Sequence, residues 1–336
     1  MAPEIAPAKA PATAPTDAPV HVVLNPGSGR GSDDLKRAPI EKALRDSGRR
    51  WTIHPLGTTE PVTSLARRIA ELAQAEGAIV VVAGGDGTIS TVARELVPRG
   101  VTLGVVPEGT FNLLARDNGI PEDPQAAMAV VLEGQVRSVQ AGAVNGTAFF
   151  VNGSIGWYPQ LLADREDYKR RLGRTRLVAA WAAVNSLRRQ IRPLDIEVDV
   201  DGEDAQLHTP TLFVGNNRLQ LARVGYEQAR EVEHGRLLGL SSVPVGGLTG
   251  LRLLAMGALG LLDHAPEVRP VLFRRLVVHG VRAAVTARPS TRRAGRRMTV
   301  ALDGELHRFA LPLRFEPHPQ ALRLIVPHPG PAPDDD

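Results

Sequence analysis

The run Ala78-Ile79-Val80-Val81-Val82-Ala83-Gly84-Gly85-Asp86-Gly87-Thr88 passes from apolar residues with no alternation into glycines set around one aspartate. An unbroken β-branched run is buried on both faces, as a strand inside a parallel sheet is. Positions 88–96 continue at helical spacing and are closed by Pro98 and Gly100. Glycines between a strand and a helix let the backbone approach a bulky anion and aim successive N–H groups at it. The helix N-terminus adds partial positive charge. Gly84, Gly85, Gly87 and Thr88 are therefore candidate phosphate-binding residues. Asp86 would repel bare phosphate. It fits such a loop if a divalent cation stands between them, or if it orients a water or a hydroxyl.

Working outward, positions 21–24 form a short apolar run ending at Asn25-Pro26-Gly27. A polar helical segment follows at 33–47, then a second strand at 51–54. Leu65, Ile69, Leu72 and Ala73 give positions 63–76 helical spacing. Positions 101–106 form the next strand. Strand and helix alternate throughout, which predicts a doubly wound α/β domain with a parallel sheet.

Beyond about residue 136 the texture changes to β-rich segments at 136–144, 147–152, 196–200, 206–214, 236–243, 275–286 and 298–302. Asn145-Gly146, Asp201-Gly202 and Asp303-Gly304 supply turn signals between them. These predict a mostly antiparallel β domain at 134–315, with helices at 174–189 and 249–262. Positions 321–326 form a last strand, after the α/β domain of residues 20–133 and this β domain. Residues 1–19, rich in Ala and Pro with no apolar core, are expected to be a disordered leader, and 327–336 a disordered tail.

Composition narrows the function. The sequence holds no cysteine, which excludes disulfides and thiolate metal sites. Aromatic residues are 4% of the chain, too few for the stacking platforms of a nucleic-acid binder. The net charge is +4, and arginines cluster at 165–176, 188–192 and 292–297, patches suited to phosphate or an anionic membrane. The apolar stretch 246–262 is interrupted by Arg252 and falls short of the roughly 20 residues that span a bilayer.

Other loops share the chemistry of the first. Asn25-Pro26-Gly27-Ser28-Gly29-Arg30-Gly31 closes the first strand, with Arg30 able to meet a phosphate. No Gly-Lys-Ser/Thr follows, so this is not a Walker A loop. Pro107-Glu108-Gly109-Thr110-Phe111-Asn112 ends the strand at 101–106 and offers the Thr110 hydroxyl and the Asn112 amide. Asp303-Gly304-Glu305 brings two carboxylates to one turn, where one of them could serve as general base.

In this order, these pieces resemble the diacylglycerol kinase catalytic family of lipid kinases, which also includes sphingosine and ceramide kinases. Val151-Asn152-Gly153-Ser154-Ile155-Gly156, Tyr158-Pro159 and Val214-Gly215-Asn216-Asn217-Arg218 look like bacterial members. The resemblance spans residues 20–326. It implies a nucleotide-binding α/β domain followed by a β-sandwich that takes the lipid, with residues 316–326 returning to the first domain and the active site in the cleft between the two. It implies ATP held by Asn25, Ser28, Arg30, Gly84, Gly85, Asp86, Gly87, Thr88, Gly109, Thr110 and Asn112. Asp303 is the implied base for the lipid hydroxyl, Asp86 a further catalytic residue, and Glu305 either orients Asp303 or helps Asp86 hold Mg²⁺. A cytoplasmic enzyme docked peripherally on the inner membrane face is implied too, and a homodimer by analogy.

This sequence departs from the family pattern in places. Ser90 and Thr91 stand where Asn-Glu is common, Leu113 where an acidic residue or His is common, and Glu108 where an apolar residue is usual. The replacements at Ser90, Thr91 and Leu113 leave a second reading, a catalytically weak nucleotide- and lipid-binding regulatory protein of the same fold.

Overall fold

The computed structural model describes residues 12–13, 17–28, 33–57, 60–157, 193–244, 259–282 and 297–329, with a few isolated positions between them. The chain divides into two compact units. One is Met1–Ala141 with His318–Asp336, and the other is Gly142–Pro317.

The first unit is α/β. Its strands include β1 (Ala12–Thr13), β2 (Val20–Leu24), β3 (Trp51–Pro55), β4 (Ile79–Gly84), β5 (Leu103–Pro107), most of β6 (Gln135–Val144) and the end of β17 (Leu313–Val326). The parallel strands lie in the order β3, β2, β4, β5, β17. Val20 pairs with Trp51 on one side and Ile79 on the other. β4 pairs with β5 up to Gly84 and Pro107, and β17 joins through Leu324 beside Leu103. Every residue of β2, β4 and β5 is buried, which is why they carry no alternation. Ala12 and Thr13, inside the expected leader, pair antiparallel with Val136 and Gln135 of β6.

Among the described residues, five helices connect these strands: α1 (Asp33–Asp46), α2 (Val62–Glu76), α3 (Asp86–Leu96), α4 (Leu113–Asp117) and α5 (Pro124–Glu133). α1 packs with α5 and α2 with α3, the pairing that right-handed crossovers on the two sides of β2 require. On α2 the buried stripe is Leu65, Ala66, Ile69, Ala70 and Ala73. Leu72, expected within it, is 37% exposed. The strand order reverses direction between β2 and β4, so the sheet has its switch point at the carboxyl ends of those two strands.

The second unit is antiparallel. Its remaining strands are β7 (Thr147–Phe149), β8 (Asn152–Gly156), β9 (Leu194–Val200), β10 (Glu203–Thr209), β11 (Thr211–Gly215), β12 (Leu237–Ser242), β13 (Val268–Phe273), β14 (Leu276–Arg282), β15 (Arg297–Leu302) and β16 (Glu305–Ala310), with α6 at Arg218–Arg223. One sheet runs β13, β12, β11, β8, β15, β16, and another contains β10, β9, β14 and the start of β17. Phe149, Ile155, Val198, Val214, Phe273, Val278, Val300, Leu302 and Phe315 form a core drawn from both. The stretch 206–214, expected as one strand, breaks at Pro210, and its halves join different sheets. Proline donates no ladder hydrogen bond, so the run cannot continue through it. Helix 174–189 lies outside the described residues, as do positions 250, 251, 254, 257 and 258 of the expected helix 249–262. Among the described residues no helix is long and apolar enough to cross a membrane.

Candidate active site

Two loops meet at the switch point of the first unit. Asn25 follows β2, and its backbone N–H donates to Ala83 O at 2.9 Å. Its amide Nδ2 donates to Thr88 Oγ1 at 2.8 Å, so the 25–28 turn is fastened to the start of α3. Asn25 Oδ1 accepts the N–H of Gly27 at 3.0 Å, which folds the turn on itself. The Ser28 hydroxyl lies 2.8 Å from Asn25 O and 2.5 Å from Glu108 Oε2.

A third loop, after β5, closes against the second. The N–H of Glu108 donates to Gly84 O at 2.9 Å. A Cβ on Gly109 would stand 3.0 Å from Gly85 Cα and 2.7 Å from Asn112 Oδ1. Backbone meets backbone here, and only glycine permits it. Asn112 adopts φ 48° and turns its side chain inward, with Oδ1 accepting Gly109 N–H at 2.8 Å. Asn112 is therefore the brace of its own turn. Thr110 and Phe111 are exposed, Phe111 to 61%.

α3 begins at Asp86 with Gly85 at its N-cap and has no side-chain cap. The first N–H groups of a helix have no intrahelical partner, so those of its first turn form an anion-binding end. A Cβ on Gly87 would meet nothing within 4 Å, so the approach to that turn is open. Asp86 itself faces another helix. Its Oδ2 accepts Asn112 N–H at 2.9 Å and its Oδ1 accepts Leu113 N–H at 2.6 Å. It caps α4, and each carboxylate oxygen has a further acceptor site. Asn25, Ser28, Gly84, Gly85, Asp86, Gly87, Thr88, Gly109 and Asn112 thus converge on one edge of the sheet. Arg30 lies outside the described residues.

Asp303 and Glu305 belong to the second unit. Asp303 (φ 50°) and Gly304 (φ 84°) form the turn between β15 and β16. The Asp303 carboxylate accepts the N–H groups of Phe150, Val151 and Asn152, the shortest at 2.8 Å from Val151. Asp201 does the same in its own turn, accepting Arg275 N–H at 2.7 Å and Arg274 N–H at 3.0 Å. Glu305 Oε2 lies 3.8 Å from His307 Nε2. The bracing by Asp86 and Asp303 was missed in the sequence, because both join residues far apart along the chain. Among the described residues no cluster of three or more His, Asp or Glu side chains is arranged to hold a metal by itself.

Residues 19–144 match the family model of the diacylglycerol kinase catalytic domain. The chain is 32% identical over 186 residues to a diacylglycerol kinase of Bacillus subtilis (strain 168), covering 54% of this chain and 59% of that protein. It is 28% identical over 316 residues to a protein of Klebsiella pneumoniae (strain 342) named as a probable lipid kinase, YegS-like, covering 89% of this chain and 94% of that one. The chain thus spans less than two thirds of the Bacillus relative, and 46% of a Synechocystis relative. A crystal structure of a diacylglycerol kinase from Bacillus anthracis str. Sterne superposes with a TM-score of 0.59 at 16% identity, covering 91% of this chain and 96% of that one. That likeness establishes the fold.

Proposed function

From a chain that carries the diacylglycerol kinase catalytic domain over residues 19–144, we propose an ATP-dependent lipid kinase that transfers the γ-phosphate to a lipid hydroxyl. The observation that carries this reading is the convergence of the 25–28, 84–88 and 108–112 loops on the switch point, beside the open first turn of α3. That is where an α/β sheet takes nucleotide phosphates.

In this reading the backbone of Gly85, Gly87 and Thr88 receives the phosphates, with Ser28 and Thr110 at the rim. The lipid hydroxyl oxygen bonds to the γ-phosphorus as the bond from phosphorus to the ADP oxygen breaks, and Asp303 takes the hydroxyl proton. Its backbone donors fit the ionised, acceptor-only form that a base needs. Phosphoryl transfer asks for positioning and charge neutralisation rather than covalent help. The oxygen donors at this edge, from Asp86, Glu108 and Ser28, are the hard ligands Mg²⁺ prefers, and one or two carboxylates beside phosphates suffice to hold it. Bound there, Mg²⁺ would neutralise phosphate charge. The acceptor has an apolar tail, so the enzyme works docked on the inner membrane face. The exposed side chains of Leu259 and Leu261 support such docking.

One observation favours a second reading, nucleotide and lipid binding without transfer. Both proposed catalytic carboxylates, Asp86 and Asp303, are engaged by backbone donors that hold the fold. The two readings separate when the protein is incubated with ATP, Mg²⁺ and detergent-dispersed diacylglycerol, sphingoid base or ceramide. Mass spectrometry of the lipids then looks for a phosphorylated product. A product from one acceptor identifies the substrate. Nucleotide binding without product from any of them sinks the kinase reading for these lipids.

A further inference from the structure

Glu108 lies at the phosphate edge, and it is 9% exposed. Its backbone N–H is fixed to Gly84 O, so the residue cannot drift from the loop. Its Oε2 accepts the Ser28 hydroxyl at 2.5 Å, across from the 25–28 turn. The carboxylate therefore bridges two of the loops proposed to receive the polyphosphate. A buried carboxylate is costly unless it is partnered, and a polyphosphate brought beside it meets like charge.

We infer that Glu108 makes nucleotide binding depend on a divalent cation, which it holds jointly with the phosphates, and that without nucleotide it keeps the Ser28 turn latched. This rests on the nucleotide reading of the same edge. A hard divalent cation takes one or two carboxylates plus phosphate oxygens, and Glu108 is placed to supply one. Asp86 accepts two backbone N–H groups at the N-terminus of α4 and keeps a further acceptor site on each oxygen, so it can supply a second. When the cation binds, the Glu108 carboxylate turns from the Ser28 hydroxyl to the metal, and the freed hydroxyl becomes available to a phosphate oxygen. Metal-free ATP finds only repulsion from the latched carboxylate.

The test is equilibrium binding of ATP to the full chain by calorimetry, in EDTA and in excess Mg²⁺, for the parent, Glu108→Gln and Glu108→Leu. Adenosine serves as a ligand without phosphates. The parent is expected to bind ATP at least about tenfold more tightly with Mg²⁺ than without, one such factor being 1.4 kcal/mol. Glu108→Gln keeps the shape and an acceptor for Ser28. It is expected to tighten metal-free binding and bring the Mg²⁺ ratio below about threefold, with adenosine affinity unchanged. Glu108→Leu, which removes the acceptor as well, is expected to show the same loss of ratio. Equal Mg²⁺ ratios in the parent and both variants would overturn the role of Glu108 and leave the nucleotide reading standing. No ATP binding by the parent under either condition would overturn the nucleotide reading, and this inference with it.

Discussion

Asp86 Oδ1 accepts the backbone N–H of Leu113 at 2.6 Å, so the aspartate of the glycine loop caps a helix that begins 27 residues further along. The contact ties α3 to α4 and sets the distance between the second and third loops. Asp86→Ala removes both acceptors from the N-terminus of α4. It is expected to lower stability by about 1–2 kcal/mol, the usual cost of a lost cap, and to weaken ATP binding. Asp86→Asn keeps one acceptor but turns an NH₂ toward a backbone donor, and is expected to fall between the two. Chemical denaturation together with nucleotide titration checks both. An Asp86→Ala protein as stable as the parent would show that the cap is idle.

Gly87 and Gly109 separate a ligand role from a packing role. A Cβ on Gly87 meets nothing within 4 Å, whereas one on Gly109 strikes Asn112 Oδ1 and Gly85 Cα. Gly87→Ala is expected to leave stability within about 0.5 kcal/mol of the parent yet cost about tenfold or more in ATP affinity, because the methyl takes up phosphate space. Gly109→Ala is expected to lower the melting temperature first. Unchanged ATP affinity in Gly87→Ala would move the phosphates away from this turn.

His54 gives the first unit a pH dependence. His21 Nδ1 lies 3.1 Å from His54 Nε2, and His21 Nε2 lies 3.2 Å from Glu76 Oε2. Burial, then His21, then Arg68 hold the His54 pKa below its ordinary value. An unfolded histidine titrates near about 6.5. Below that pH the unfolded chain takes up a proton that folded His54 resists. Stability is therefore full above this value and is lost as pH falls through the depressed folded pKa. Melting curves between about pH 7.5 and pH 5 should fall less steeply for His54→Asn than for the parent. Parallel curves would show that His54 does not contribute.

Asp201 and Asp303 make a matched pair. Each sits at positive φ before a glycine in a hairpin turn, and each carboxylate braces the N–H groups of a neighbouring segment. Substituting either by Asn is expected to cost about 1 kcal/mol, because the backbone N–H groups then donate to a neutral amide oxygen instead of a charged carboxylate. Denaturation of Asp201→Asn and Asp303→Asn should show similar losses. An Asp303→Asn loss far smaller than that of Asp201→Asn would mean that its bracing contributes little.

The doubly wound domain was legible because parallel strands buried on both faces leave unbroken β-branched runs, as at Val80, Val81 and Val82. The three Asx-Gly turns were legible because positive φ at both turn positions selects those residues. The division at Pro210 was missed, since β-branched residues flank it and only the missing donor marks the break. Strand β13 was also missed. β16 alternates half-buried and exposed residues. The loops of the candidate site were readable from their glycines. What Asp86, Asn112 and Glu108 do within it was not, because their partners are set by the meeting of separate strand ends.

The most direct measurement is transfer of label from γ-labelled ATP to lipid, with Mg²⁺ and a mixed lipid extract in detergent, for the parent, Asp303→Asn and Asp201→Asn assayed below their melting temperatures. A labelled lipid from the parent, retained by Asp201→Asn and reduced about a hundredfold or more in Asp303→Asn, is expected if Asp303 acts as general base. No labelled lipid from a parent that binds ATP would contradict the kinase reading. Equal label from both variants would remove Asp303 from the chemistry and leave it as a brace.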